Sequence, residues 1–294
     1  MTATTLSPGR VRSVDARLVR ILRSRRVARL LCWPAMLLCW QLLVLVVPTE
    51  LVPSPGAVLS FMWDELRTDT LAPQNVYQSF GLSFERLGLG LVLAFAIGVP
   101  VGLLMGLSKR AEYFLHDFVV VGLAMPSLVW ALVTGMWFGF GNLAPVLTVI
   151  LAAVTFVVIN VAEGVRNVPK DLLDMSAAYG VDRWRVIRHV IFPSLMPFFF
   201  AALRYGMANA WKGLVLAEVW ASTAGSGWAI KFWYDAHRAQ GIVGYALFFI
   251  IVAVVIERVV FGRLSAHVFR WRPATGDQPR PEPTTAGSGT REGQ

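Results

Sequence analysis

The sequence predicts an all-α polytopic membrane protein, with six transmembrane helices and a pair of short cytoplasmic helices between the fourth and fifth. Three observations carry that prediction. The 294 residues are 56% hydrophobic and only 15% charged, with a mean hydropathy of +0.58, whereas soluble domains are roughly 25% charged. Several apolar runs reach the ~20 residues that a helix needs to cross a bilayer. The basic residues collect at alternate ends of those runs, as membrane topology requires. A net charge of +9 otherwise raises nucleic acid as a partner. Here topology accounts for the arginines, and no nucleic-acid partner is expected.

Residues 1–27 form a basic cytoplasmic segment, with Arg10, Arg12, Arg17, Arg20, Arg23, Arg25 and Arg26. A signal peptide is disfavoured, because the leader is long and no small-residue cleavage site follows the apolar run. The first span is 28–48, interrupted only by Arg29 and Gln41. Cys32 and Cys39, the two cysteines, share one helix face and read as packing residues. In the loop 49–82, Ser54-Pro55 is a cap and first helical position. It opens a short helix whose Val58, Leu59, Phe61, Met62 and Leu66 line one side. Trp63 suits the membrane boundary, and a packed surface helix is the better reading of this segment.

The second span is 84–107, where Gly98, Gly102 and Gly106 leave a smooth face for close helix contact. The third is 114–138, with Pro126 expected to kink it. A turn at Gly139–Asn142 leads to the fourth, 143–162. A polar loop, 163–193, precedes the fifth span, 195–220. An outer segment, 221–240, leads to the sixth, 241–261. The six-span domain is thus 28–272, and the tail 273–294, rich in Pro, Gly, Thr and charge, is expected to be disordered.

Topology follows from charge. Lys109, Arg110, Arg166, Lys170, Arg183, Arg185, Arg188, Arg258, Arg263, Arg270 and Arg272 fall on the same side as the N-terminal cluster. The other side holds Arg67, Lys231 and Arg238, with Arg86 at a boundary. Both termini and the central loop are therefore expected in the cytoplasm. Within that loop, Pro169 can open a helix, Gly180 supplies a left-handed terminus, and Asp182 can cap a second helix, Arg183–His189, that Pro193 closes. A hairpin so placed between two spans reads as a handle for a partner.

The stretch Asp174-Met175-Ser176-Ala177-Ala178-Tyr179-Gly180, with Val190-Ile191-Phe192-Pro193 after it, resembles the EAA loop of ABC importer permeases. Asp174 stands at the Glu position, Met175 and Ser176 at the two Ala positions, and Gly180 at the Gly. Val190, Phe192 and Pro193 stand at the Ile, Leu and Pro. Further stretches resemble the permeases for taurine, alkanesulfonates and nitrate: Leu51–Pro55, Ser83–Arg86 with Gly90, Pro126, Trp137–Gly141, Asn160 with Gly164, and Glu218 with Gly225–Gly227. Leu123 and Leu132 depart from that pattern, where an Arg and a second Pro are usual.

The resemblance implies a MetI-like type I importer permease in a bacterial plasma membrane. Its partners would be a cytoplasmic ABC ATPase dimer, an extracytoplasmic solute-binding protein and a second permease subunit, self or paralogue. ATP would be used by the ATPase, with no cofactor on this chain and no enzyme activity of its own. Asp174, Met175, Ser176, Gly180, Val181, Trp184, Ile187 and Pro193 would couple to the ATPase. Asp174 is the residue expected to make a polar contact or a cap there. No Gly-x-x-x-x-Gly-Lys-Ser/Thr phosphate cradle is present. Residues that are polar or kinking inside spans are path candidates: Pro126, Asn160, Lys212 and Glu218. No metal or catalytic set is expected. The alternative, a self-sufficient secondary transporter or channel, calls for more intramembrane charge or an internal repeat. An intramembrane enzyme calls for a nucleophile and a base in the spans.

Overall fold

The computed structural model of the chain describes residues 25–48, 51–67 and 70–268. The basic segment before residue 25 and the tail 273–294 lie outside them. All regular structure among the described residues is helical. In chain order the helices are α1 (Arg25–Val46), α2 (Pro55–Leu66), α3 (Val76–Leu107), α4 (Lys109–Ala124), α5 (Ser127–Phe138), α6 (Leu143–Arg166) and α7 (Lys170–Ala178). They continue as α8 (Arg183–Ala221), α9 (Ser226–Asp235) and α10 (Ala239–Ser265).

The centre is α6, packed between α3 and α8. Its Val149, Ala152, Ala153, Val157, Val161 and Ala162 are all buried. Glycines let α3 approach. A Cβ placed on Gly98 would lie 2.8 Å from Val157 Cβ, one on Gly102 2.8 Å from the Val158 carbonyl, and one on Gly106 2.7 Å from Val165 Cβ. The four-residue glycine spacing therefore acts in packing, as its pattern indicates. Ser54 caps α2 through the Ala57 N–H at 3.2 Å, and Val58 and Met62 bury against α10 while Leu59 and Trp63 stay exposed. Asn75 and Gln78 form a reciprocal capping box that starts α3 eight residues before the expected span.

The all-α membrane fold stands, and its spans are less uniform than their hydropathy indicates. Among the described residues, four helices are long and apolar enough to cross a membrane, and a bent pair makes a fifth. That pair is the third span, where α4 and α5 meet at 98°. Met125, forced out of the helical region by the proline after it, is extended at φ −66 and ψ 122. Pro126 has no N–H to rejoin the ladder. The first helix has 22 residues, but its apolar part, Pro34–Val46, is short. That part touches the bundle near Trp40, whose indole donates to the Pro53 carbonyl at 3.1 Å. Most of its side chains are exposed, and Cys39, expected to pack, is among them.

The central loop also differs from expectation. Its first helix begins after Pro169 as expected, but Pro193 does not close the second. The chain runs unbroken through Pro193 to Ala221, a helix of 39 residues. A π turn at Ile187–Ile191 makes this possible: the Phe192 N–H reaches back to the Ile187 carbonyl, and the wider turn makes room for the proline ring.

Candidate functional site

The arginine-rich end of the bundle carries the α7–α8 corner. Gly180 has φ +62, and a Cβ added there would meet nothing within 4 Å. Backbone conformation, and not space, therefore selects the glycine. The Val181 N–H closes the turn on the Ser176 carbonyl at 3.0 Å. Asp182 accepts the Trp184 N–H at 3.1 Å and so caps α8. The corner is thus rigid, yet its apolar side chains are left in the open. Tyr179 is 81%, Trp184 67% and Met175 51% exposed, with Val181 and Ile187 beside them. Arg183, Arg185 and Arg188 lie in the same stretch of chain and are exposed too. An exposed apolar cluster beside charged residues is what protein–protein and membrane interaction sites present.

The coupling candidates do not all lie on that surface. Ser176 is buried, its hydroxyl donating to the Leu172 carbonyl at 2.7 Å. Asp174 is exposed, and Asp182 makes the α8 cap that its position in the sequence indicates. Pro193 sits in the first turn after the π segment. Beside the corner, Arg166 joins Glu112 at 2.9 Å and Glu163 at 3.0 Å, which fastens the start of α4 to the end of α6.

The path candidates are dispersed. Pro126 is exposed at the α4–α5 break. Asn160 is half-buried and donates to the Phe156 carbonyl at 2.8 Å, within its own helix. Lys212 is exposed on α8. Arg204, also on α8, is ion-paired with Glu257 of α10. Glu218 is fully buried, away from any open surface.

Glu218 is the centre of a network at the opposite end of the bundle. It accepts from Arg86 Nη1 at 2.8 Å and from Ser83 Oγ at 2.9 and 2.8 Å. The Gly227 N–H donates to it at 2.9 Å. Arg86 also donates from Nη1 to the Ala224 carbonyl at 2.7 Å and from Nε to Asn142 Oδ1 at 3.2 Å. Gly225, at φ +110, has its α-carbon against the Glu218 carboxylate, where no side chain fits. The network ties α3, α8, α9 and the α5–α6 turn. A buried charge survives only when paired and hydrogen-bonded in this way. Sequence reading left Ser83, Arg86, Asn142 and Ser226 without a joint role. The usable signal was two opposite charges, Arg86 and Glu218, in otherwise apolar runs.

Among the described residues no three His, Cys, Asp or Glu side chains converge as a metal-ligand set. Comparison with known proteins gives a consistent result. Residues 98–270 match the family described as "Binding-protein-dependent transport system inner membrane component". The nitrate import permease protein NrtB of Synechococcus elongatus is 26% identical over 252 residues, which is 81% of this chain and 89% of that protein. The taurine transport system permease protein TauC of Escherichia coli is 28% identical over 180 residues, 61% of this chain and 66% of that protein. Among solved structures, the MetNI methionine ABC transporter in an inward-facing conformation superposes with a TM-score of 0.54. It shares 18% identity and covers 71% of this chain and 98% of that one, a likeness of fold.

Proposed function

The chain belongs to the family of binding-protein-dependent transport system inner membrane components, and from that premise we propose how it works. It is one of two permease subunits, self or paralogue, that together form the passage. A cytoplasmic ATPase pair docks on the α7–α8 corner and consumes ATP, while a solute-binding protein delivers cargo from outside. Both termini face the cytoplasm, in keeping with the charge distribution. The cargo is a small solute with an oxyanion group, by analogy with relatives named for nitrate and taurine.

One observation carries this reading. The exposed apolar cluster of Met175, Tyr179, Val181, Trp184 and Ile187 sits on a capped corner, and from that corner α8 continues unbroken to Ala221. From Trp184 to Glu218 that helix spans roughly 50 Å at 1.5 Å per residue. A partner that tilts the corner therefore moves the Glu218 network at the far end as one rigid lever. Asp174 is free to make a polar contact to the partner. Asn160 and Lys212 remain the polar candidates along the passage.

The test is to purify the tagged chain in mild detergent from its native membrane and identify what accompanies it. An ATPase subunit and a solute-binding protein are expected. A chain that emerges alone and still moves solute in liposomes would overturn the reading.

A further inference from the structure

We propose that Lys212 places a fixed, unneutralised positive charge in the solute passage, so that the passage favours anions. The proposal rests on the permease reading above and adds a residue and a charge selectivity to it.

The argument begins with the faces of α8. Ala202, Gly206, Ala210, Gly213 and Ala217 are buried, and this small-residue face lies on α6, with Gly206 against Ala153 and Gly213 against Thr148 and Ala152. The exposed stripe holds Arg204, Tyr205, Ala208 and Lys212. Charged and phenolic groups are not what a membrane helix turns toward lipid tails, and such residues face a bundle interior or a water-filled cavity.

Charge accounting along that stripe singles out one residue. Arg204 is paired with Glu257 of α10. Arg86 of α3 is paired with Glu218. Arg258 lies close to the arginine-rich end. Lys212 has no carboxylate at ion-pair distance among the described residues. Yet it lines the same groove between α8 and α10 as Arg204 and Glu257, with Met207, Ala208 and Phe249. The groove therefore carries one net positive charge.

Position and orientation are both fixed. Lys212 lies eight residues before the end of the predicted span at 220, roughly 12 Å of helix. Its neighbour Trp211 is clamped between two rings: Phe249 at 4.7 Å and 8°, and Phe84 at 5.5 Å and 24°. With Trp211 held, α8 cannot rotate to hide the next side chain. A lone cation lining a narrow aqueous passage raises the local concentration of anions and repels cations. Two permease copies would present two such lysines.

The test uses the assembled transporter in proteoliposomes, with Cys32 and Cys39 replaced by Ser and Ala208→Cys added one helical turn from Lys212. Two membrane-impermeant methanethiosulfonates are compared, one carrying a sulfonate and one a trimethylammonium group. Both are expected to react, the anionic reagent faster. The anionic-to-cationic rate ratio should fall roughly tenfold with Lys212→Gln, the scale of one unit charge acting across a few ångströms in a partly hydrated site. Lys212→Arg should keep it. Failure of both reagents to react, or a ratio indifferent to Lys212→Gln, would overturn the proposal. ATPase co-purification is read in the same preparation, so loss of the permease reading and loss of this one are separate results.

Discussion

Arg86 and Glu218 stand 132 positions apart in the chain and meet at 2.8 Å, with the carboxylate fully buried and the guanidinium nearly so. Three segments far apart in sequence converge on this pair: the first third of α3, the α5–α6 turn at Asn142, and the glycine-rich entry to α9. It fixes the end of α8 opposite the arginine-rich corner, and so defines what that long helix can push against.

Removing one member of the pair should be costly, because the other is left as an uncompensated buried charge. Arg86→Met is expected to lower stability by about 3 kcal/mol. Thermal unfolding of the detergent-purified chain measures it. Adding Glu218→Gln to Arg86→Met should recover part of that loss, since the double variant buries no lone charge. Strict additivity of the two would show that the pair does not act as a unit.

Gly180 is set by its backbone and not by crowding, so two substitutions separate the requirements. Gly180→Asn tolerates the left-handed conformation and should retain transport. Gly180→Leu carries a local penalty of about 1–2 kcal/mol and places a bulky side chain on the corner. Membrane insertion should persist, while solute uptake by the reconstituted transporter collapses. Normal uptake by the Leu variant would count against the corner as the coupling element.

Trp184 is two-thirds exposed and supports no described core. Trp184→Ala should therefore change stability by no more than about 0.5 kcal/mol, yet strip the ATPase from the purified complex. A pull-down with unchanged ATPase yield would remove this surface from consideration as the dock.

Gly102→Val drives a side chain into the Val158 carbonyl and Val161. Overpacking of this kind is expected to cost about 1–3 kcal/mol, visible as a lower unfolding temperature and poorer yield. Gly88→Val on the same helix meets nothing within 4 Å and serves as the control. Equal effects would mean that α3 does not lean on α6 through its glycines.

Much of the bundle was legible because its causes are local. The apolar runs of α3, α6, α8 and α10 exceed what a soluble core uses, and the four-residue glycine spacing on α3 announced a close neighbour. Pro169, Gly180 and Asp182 each act within a turn of themselves, so the α7 start, the left-handed turn and the α8 cap could be read directly. What escaped depended on balance between competing local terms. Pro126 breaks a span, while Pro193 is absorbed by a π turn. A proline's missing N–H is the same in both, and the outcome rests on whether the preceding turn can widen.

The sequence by itself determined that this is a multi-span helical membrane protein with an arginine-rich side and an exposed helical corner. Hydropathy, charge and turn chemistry are properties of short stretches, and the bilayer forbids most alternatives to helix. Only the tertiary structure decided which polar residues inside the spans share a partner. Arg86 with Glu218 and Arg204 with Glu257 are neutralised across long separations, and Lys212 has no ion-pair partner among the described residues. A buried charge needs a counter-charge within a few ångströms, and that distance is set by how whole helices pack, which no short stretch of the chain encodes.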